Sequence, residues 1–300
     1  MFRTTPRRRA ILGLAVAAAL TVSMAACGKE SGSGSGSSTG APAASSSVDS
    51  ALAAKVPADI KAAGKLTIGT DSTYAPNEFL DTDGKTVIGF DVDMFNAVAA
   101  KLGLTTEWQS ATFGNIIPGV NSGKYNAGVS SFTINPDRLK QVNMVSYFSA
   151  GTQWAAKTGA TIDPDNACGK KVAVQATTVQ VDDITARSKK CGSNKITIDQ
   201  YQKQSDATNA VVTGKDDAML ADSPVCAYAV KQTNGQLALA GDIYDSAPYG
   251  YVLPKDQTDF ADAIAGSVQA LITDGTYKSI LAKWGVDAGA ITTPAVNPTS

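Results

Sequence analysis

Apolar and polar positions switch between two periods along most of the chain. LTIGT, at 66–70, is a short apolar run suited to a buried strand, and TVIGF, at 86–90, is a second strand-like run. Between them STYAPNEF carries proline and asparagine and reads as a loop. In DVDMFNAVAAKLG the residues Val92, Phe95, Val98, Ala99 and Leu102 recur at helical spacing, with Asp91 as candidate N-cap and Gly103 as the stop after the last turn. TTEWQSA then predicts a strand, FGNIIPGVNSG a short helix with Ile116, Ile117 and Val120 on one side, NAGVSSF a strand, and PDRLKQV a helix with Pro136 in its first turn. The same alternation restarts at KKVAVQ and runs through TVQVDDITARSKK, NKITIDQY, SDATNAVVTGK, DAMLAD and PVCAYAVKQ. YGYVLPK adds a strand, and DFADAIAGSVQALITDG and TYKSILAKWG add two amphipathic helices. Alternating strands and helices predict the α/β class, and the restart predicts a second lobe. No short sequence repeat is present.

The ends change the size of the folded part. Arg3, Arg7, Arg8 and Arg9 precede an apolar run from 10 to 26, the layout of an export signal. The run ends in MAAC, which resembles the bacterial lipoprotein lipobox, with Met24 where that motif usually has leucine. The expectation is a signal peptide over 1–26, with Cys27 lipidated as the new N-terminus. Residues 27–50, rich in glycine and serine, offer little apolar surface to bury and read as a flexible tether.

The whole chain of 300 residues carries 26 basic and 27 acidic side chains; without the four signal arginines the balance is 22 against 27. A mildly acidic mature protein argues against a nucleic-acid partner. There is no histidine among the residues and no CxxC spacing among the four cysteines, so neither a metal site nor a cofactor is expected. In an exported protein, Cys168 and Cys191 flank a segment able to close as one strand and one helix, and are expected to pair; Cys226, in apolar PVCAYAV, is expected to stay buried and reduced.

IGTDSTYAPNEF, GFDVDMFNAVAAKLG, FGNIIPGV, GVSSFTINPDR, YFSAGTQW, KVAVQATTVQ, DAMLAD and DGTYKSILAKWG, in this order, resemble the solute-binding proteins of polar amino-acid ABC importers, the histidine-, glutamine- and lysine/arginine/ornithine-binding type. The resemblance covers nearly all of 65–285. It implies the two-lobe type II periplasmic-binding-protein fold, with two hinge strands near YFSAGTQW and YDSAPYG and the ligand in the cleft between the lobes. Lobe 1 would comprise 51–150 and 247–290, lobe 2 with the hinge strands 151–246, and 291–300 a tail. The implied partners are a free amino acid and an importer permease. The protein would be a monomer held outside the cytoplasm on the membrane by its lipid.

A free amino acid presents a carboxylate and an ammonium on one carbon, so its site needs a donor fork and an anion. Arg138 offers the fork, because guanidinium meets carboxylate bidentately. The resemblance gives the same role to Arg138, and ligand hydrogen bonds to Ser130, Ser131 and Thr133. It gives the ammonium to Asp222 on the other lobe, and further donors to the amides of Thr178 and Val179 at a helix start. A glycine usually precedes this threonine; Thr177 stands there, and a positive φ would strain it. For the ligand side chain the resemblance implies Asp71, Tyr74 and Phe113, with Asn77 making the pocket mouth more polar. No lysine matches a carboxylate-pairing position, which favours basic or amide side chains over acidic ones.

Two other classes fit the same outline. Exported dehydratases share such a lobe pair and need a proton donor, for which Glu78 is the glutamate at hand; its simpler reading is a solvated loop residue. A lipoprotein that shows its amino acid to a membrane sensor would have the same sequence features. No nucleophile elbow, phosphate loop or histidine base is present, and the expectation is a binding protein without catalysis.

Overall fold

The structure is a computed structural model that describes residues 47–299; the expected signal peptide, Cys27 and most of the expected tether lie outside them. Helices α1 (Ser50–Ala54) and α2 (Ala58–Ala63) lead into strand β1 (Lys65–Thr70). A three-stranded flap follows, β2 (Thr73–Tyr74), β3 (Glu78–Leu80) and β4 (Val87–Ile88), then α3 (Phe90–Lys101), β5 (Thr105–Ser110), α4 (Ile116–Asn121), β6 (Ala127–Thr133) and α5 (Pro136–Gln141). A long strand, β7 (Asn143–Lys157), carries the chain into the second lobe: β8 (Lys171–Gln175), α6 (Val179–Lys190), β9 (Thr197–Tyr201), α7 (Gln204–Thr213), β10 (Ala218–Asp222) and α8 (Ser223–Gln232). Strand β11 (Leu237–Leu253) returns to the first lobe, which α9 (Thr258–Asp274) and α10 (Thr276–Trp284) complete.

One sheet of order β5-β1-β6-β11-β7-β10-β8-β9 runs through both lobes. β1 pairs in parallel with β5 and β6, and β8 in parallel with β9 and β10. The 15-residue β7 and 17-residue β11 are antiparallel and belong to both halves. Their register shifts between Ala240 and Tyr244 and again before Ala247. Such irregularities loosen the ladder and add local twist, and here they fall midway between the lobes. YGYVLPK is therefore the last part of a much longer strand.

Burial follows the periods read from the sequence. In the first lobe Phe95, Val98 and Ala99 of α3 meet Leu66 and Ile68 of β1 and Phe260 and Ile264 of α9 in one cluster. In the second, alternate residues of β8 serve opposite faces: Val172 and Val174 join Trp154 and Ile184, while Ala173 joins Met219, Val211 and Cys226. Central β6 is buried along nearly its whole length, as a strand covered on both faces must be.

Two local expectations change. Gly103 follows α3 with φ +73, as a left-handed stop, but the N-cap is Gly89 and not Asp91. A Cβ at Gly89 would overlap the Asn77 carbonyl. That close approach lets Asn77 O accept the Asp91 amide at 3.0 Å, docking the flap on the helix start. The Asp91 side chain is thereby free to turn inward.

Cys168 and Cys191 form a disulfide across a separation of 23 residues, and Cys226 is free and buried, as the spacing argument expects. Closing a loop of that length stabilises the fold by about 3 kcal/mol on the chain-entropy estimate. Alkylation without reductant, followed by intact-mass analysis, should leave both cysteines unmodified. Cys168→Ser with Cys191→Ser should lower the denaturation midpoint accordingly.

Candidate ligand-binding cleft

The ends of strands converge between the lobes. Asp71 follows β1, Ser130, Ser131 and Thr133 close β6, Arg138 sits in α5, and from the other side come Thr178 and Val179 at the start of α6 and Asp222 at the end of β10. With Tyr74 and Phe113 they line one small cavity, which Glu78, Gln175 and Gln180 also line. All ten residues expected from the sequence are thus brought together.

Arg138 is placed by its helix start. Asn135 caps α5 by accepting the Arg138 amide at 2.9 Å, and Pro136 fits the first turn. The guanidinium donates to the Thr133 carbonyl at 2.7 Å and lies 5.2 and 5.3 Å from the ring centres of Phe113 and Phe132. It does not pair with its neighbour Asp137, which takes Lys140 instead. Burial pushes its pKa down to about 10, while Asp222 and Asp182 pull it back. A guanidinium so held, on aromatic faces and without a bound carboxylate of the protein, has donors left for an anion.

Asp222 faces it from the second lobe. Its carboxylate accepts from the Tyr74 hydroxyl at 2.9 Å and from Gln180 Nε2 at 2.8 Å, and its own amide donates to Tyr74 Oη at 3.1 Å. Burial raises its pKa, and these donors and Arg138 oppose the rise. Asp71 is likewise buried and raised by burial, opposed by Thr73 Oγ1 at 2.6 Å, the Phe113 amide at 3.0 Å and Gln175 Nε2 at 2.9 Å. Gln175 and Gln180, absent from the sequence expectation, therefore hold the two acids from the second lobe. Thr177 adopts φ +65, the conformation a glycine would take freely, and its side chain packs against Gly114 across the cleft.

Two residues of the flap stand differently from their sequence reading. Glu78 is fully buried rather than a solvated loop residue, and Asn77 is fully buried rather than at the mouth. Ser130 Oγ donates to Glu78 at 2.7 Å and accepts the Asp71 amide at 3.0 Å. Ser131, at φ +50, gives its amide to Asp91 at 3.0 Å, while its hydroxyl lies 3.1 Å from Asp91 and takes Asn77 Nδ2 at 2.7 Å. Tyr147 also donates to Asp91, at 2.7 Å. No local pattern marks Glu78, because its burial depends on the flap docking over Gly89.

A closed, two-sided cleft with a cation on one wall and an anion on the other suits a small zwitterion. Residues 66–287 match bacterial extracellular solute-binding proteins, family 3. The chain belongs to that family. It is 38% identical over 250 residues to the arginine-binding protein ArgT of Corynebacterium glutamicum, covering 81% of this chain and 82% of that protein. Among solved structures it resembles an ancestral arginine-binding protein bound to arginine, with TM-score 0.70 and 31% identity over 74% of this chain and 98% of the other. The ancestral amino-acid-binding protein AncCDT-1, a precursor of cyclohexadienyl dehydratase, gives TM-score 0.69 and 31% identity over 75% and 97%.

The buried acids have a consequence for stability. Burial raises the Asp91 pKa to about 6, above its ordinary 3.8, and hydrogen bonds only partly offset this. The folded state then binds protons more tightly than the unfolded one, so this group's contribution to stability improves as pH falls through about 6 and is lost again as pH rises. Without ligand, thermal unfolding should show this gain, on the order of 1 kcal/mol, and Asp91→Asn should flatten it.

Proposed function

We propose that the protein captures a free amino acid with a cationic side chain, arginine before others, and hands it to an ABC importer from the outer face of the membrane, where lipid on Cys27 holds it. The observation that carries this reading is the charge inventory of the cavity: three carboxyl groups, Asp71, Glu78 and Asp222, stand against the single guanidinium of Arg138. An amino-acid headgroup uses one charge of each sign, its carboxylate meeting Arg138 and its ammonium Asp222. Asp71 then remains at the far end with no cation of the protein to meet it. A guanidinium or ammonium supplies that cation, whereas a glutamate or aspartate side chain would set a further anion against Asp71. The names of the similar arginine-binding proteins agree with this assignment.

Tyr74 and Phe113 serve as the two walls along the ligand side chain, and the amides of Thr178 and Val179 complete the carboxylate cradle from the second lobe. Ligand contact with both lobes favours closure, since only such a ligand binds the closed form better than the open one. A dehydratase would need a proton donor over its substrate, and Glu78 is the group placed for it. The Arg138 and Asp222 pair, matched to a headgroup that undergoes no reaction, favours capture, and a turnover assay with cyclohexadienyl acids should find none.

Thermal-shift screening tests the assignment: arginine and lysine should raise the midpoint, glutamate should not. Arg138→Ala should weaken arginine binding by roughly 30-fold to several thousand-fold, the effect of stranding one member of a buried charged pair, and Arg138→Lys should restore only part. Asp71→Asn should cost arginine roughly 10- to 100-fold and glutamine much less. Equal losses for both ligands in calorimetric titration would remove Asp71 from the side-chain site.

A further inference from the structure

The carboxyl groups of Glu78 and Asp91 meet at the Ser131 hydroxyl, 3.3 Å from the first and 3.1 Å from the second, and both residues are fully buried. Two carboxyl groups this near each other and cut off from solvent do not both ionise unaided, so the pair retains a proton. Among the described residues no lysine or arginine lies in ion-pair range of either. The titratable groups around them are Asp71 at the end of β1, Tyr147 of β7 and Tyr251 of β11, none of them a cation.

The donors are unevenly divided. Asp91 receives the Ser131 amide at 3.0 Å and the Tyr147 hydroxyl at 2.7 Å. Glu78 receives Ser130 Oγ at 2.7 Å and only a longer approach of 3.3 Å from Ser131 Oγ, whose one proton is closer to Asp91. Hydrogen bonds from amide and phenol stabilise an anion, so the charge belongs on Asp91 and the proton on Glu78. Glu78 is also the member of the pair that lines the ligand cavity, beside Asp71.

We propose that Glu78 and Asp91 hold a single shared proton before ligand arrives and that a cationic ligand side chain expels it, so that capture of arginine is coupled to release of a proton. The proton leaves the Glu78 carboxyl for the solvent buffer, and the guanidinium donates to the carboxylate left behind. The pair passes from one negative charge to two, offset by the positive charge that entered. A neutral side chain brings no such charge and leaves the proton in place. The inference rests on the amino-acid reading above and adds to it a proton-linked selection for cations. Burial and the neighbouring anion both push Glu78 well above the ordinary carboxylate range, in keeping with this arrangement. The same pair positions Ser131 and, through Ser130, the Asp71 amide.

Calorimetric titration at neutral pH in phosphate and in Tris, buffers with different heats of protonation, tests it. Arginine should give enthalpies that differ between the buffers by the release of about one proton, and its affinity should rise with pH by up to about tenfold per unit. Citrulline, which replaces the guanidinium by a neutral ureido group, should give the same enthalpy in both. In Glu78→Gln, which keeps an acceptor for Ser130 Oγ but carries no titratable proton, arginine should bind without the buffer difference. Buffer-independent arginine binding by the wild type, or full proton release surviving in Glu78→Gln, would overturn the coupling, the second outcome naming Asp71 as the source. If the variant does not fold, the wild-type pH slope decides alone, a flat one counting against the proposal. Failure of arginine to bind at all would instead remove the amino-acid assignment on which the coupling rests.

Discussion

Keeping anions out of water is the constraint around which this cleft is built. Asp71, Glu78, Asp91 and Asp222 are all buried, with Arg138 as the cation among them. Desolvating an ionised carboxylate costs several kcal/mol in a protein after relaxation, far more than any one contact returns. The chain answers differently at each acid. Asp71 and Asp222 receive neutral donors from both lobes, Asp91 an amide and a phenol, and Glu78, on our proposal, keeps a proton. Those devices explain the density of hydroxyl and amide side chains at the strand ends, where a purely structural crossing would need none. They also leave the site short of positive charge, the property on which the proposed preference for a cationic solute rests.

The fold supplies the donors by having both lobes end their strands at one place. The two long strands that belong to both halves fix the distance between those ends while leaving an irregular stretch near Tyr244 to bend. Open α/β sheets bind ligands beyond the carboxyl ends of their parallel strands, and β1, β6, β8 and β10 all deliver a cleft residue there. A rigid scaffold thus carries residues whose own conformations are uncomfortable. Ser131 and Thr177 both sit at positive φ beside the cavity. Such positions cost roughly 1 to 3 kcal/mol each and persist where surrounding contacts impose them.

Most of the architecture is legible in the sequence because strand and helix periods differ, and β6, α3 and α6 announce themselves. GVSSFTINPDR carries its own placement, since an asparagine cap and a proline fix where Arg138 emerges. The acids at 71 and 222 end apolar strands, which is unusual enough to draw notice. What stays hidden depends on partners distant along the chain. Asp91 looks like a helix cap until Gly89 takes that position and frees it, and Glu78 looks like a solvated loop residue until the flap folds over the same glycine. Gln175 and Gln180 are ordinary polar residues in sequence; closure sets Gln175 against Asp71 of the first lobe, and the packing of α6 beside the end of β10 sets Gln180 against Asp222. Local periodicity reports local burial, and these four residues owe theirs to contacts that no window of a dozen residues contains.

Tyr74 belongs to the flap of the first lobe, yet its ring packs into the apolar cluster of the second, and its hydroxyl engages the Asp222 side chain and amide there. None of these contacts involves an atom of the solute. They lower the free energy of the shut form equally whether the cavity encloses a molecule or not. For an enclosed molecule the gain is dwell time, with escape slowing tenfold for every 1.4 kcal/mol or so. The cost falls on signalling fidelity. A translocator that senses shape alone would also meet shut carriers with nothing inside, a background that scales with the abundance of the carrier and not with the supply of nutrient.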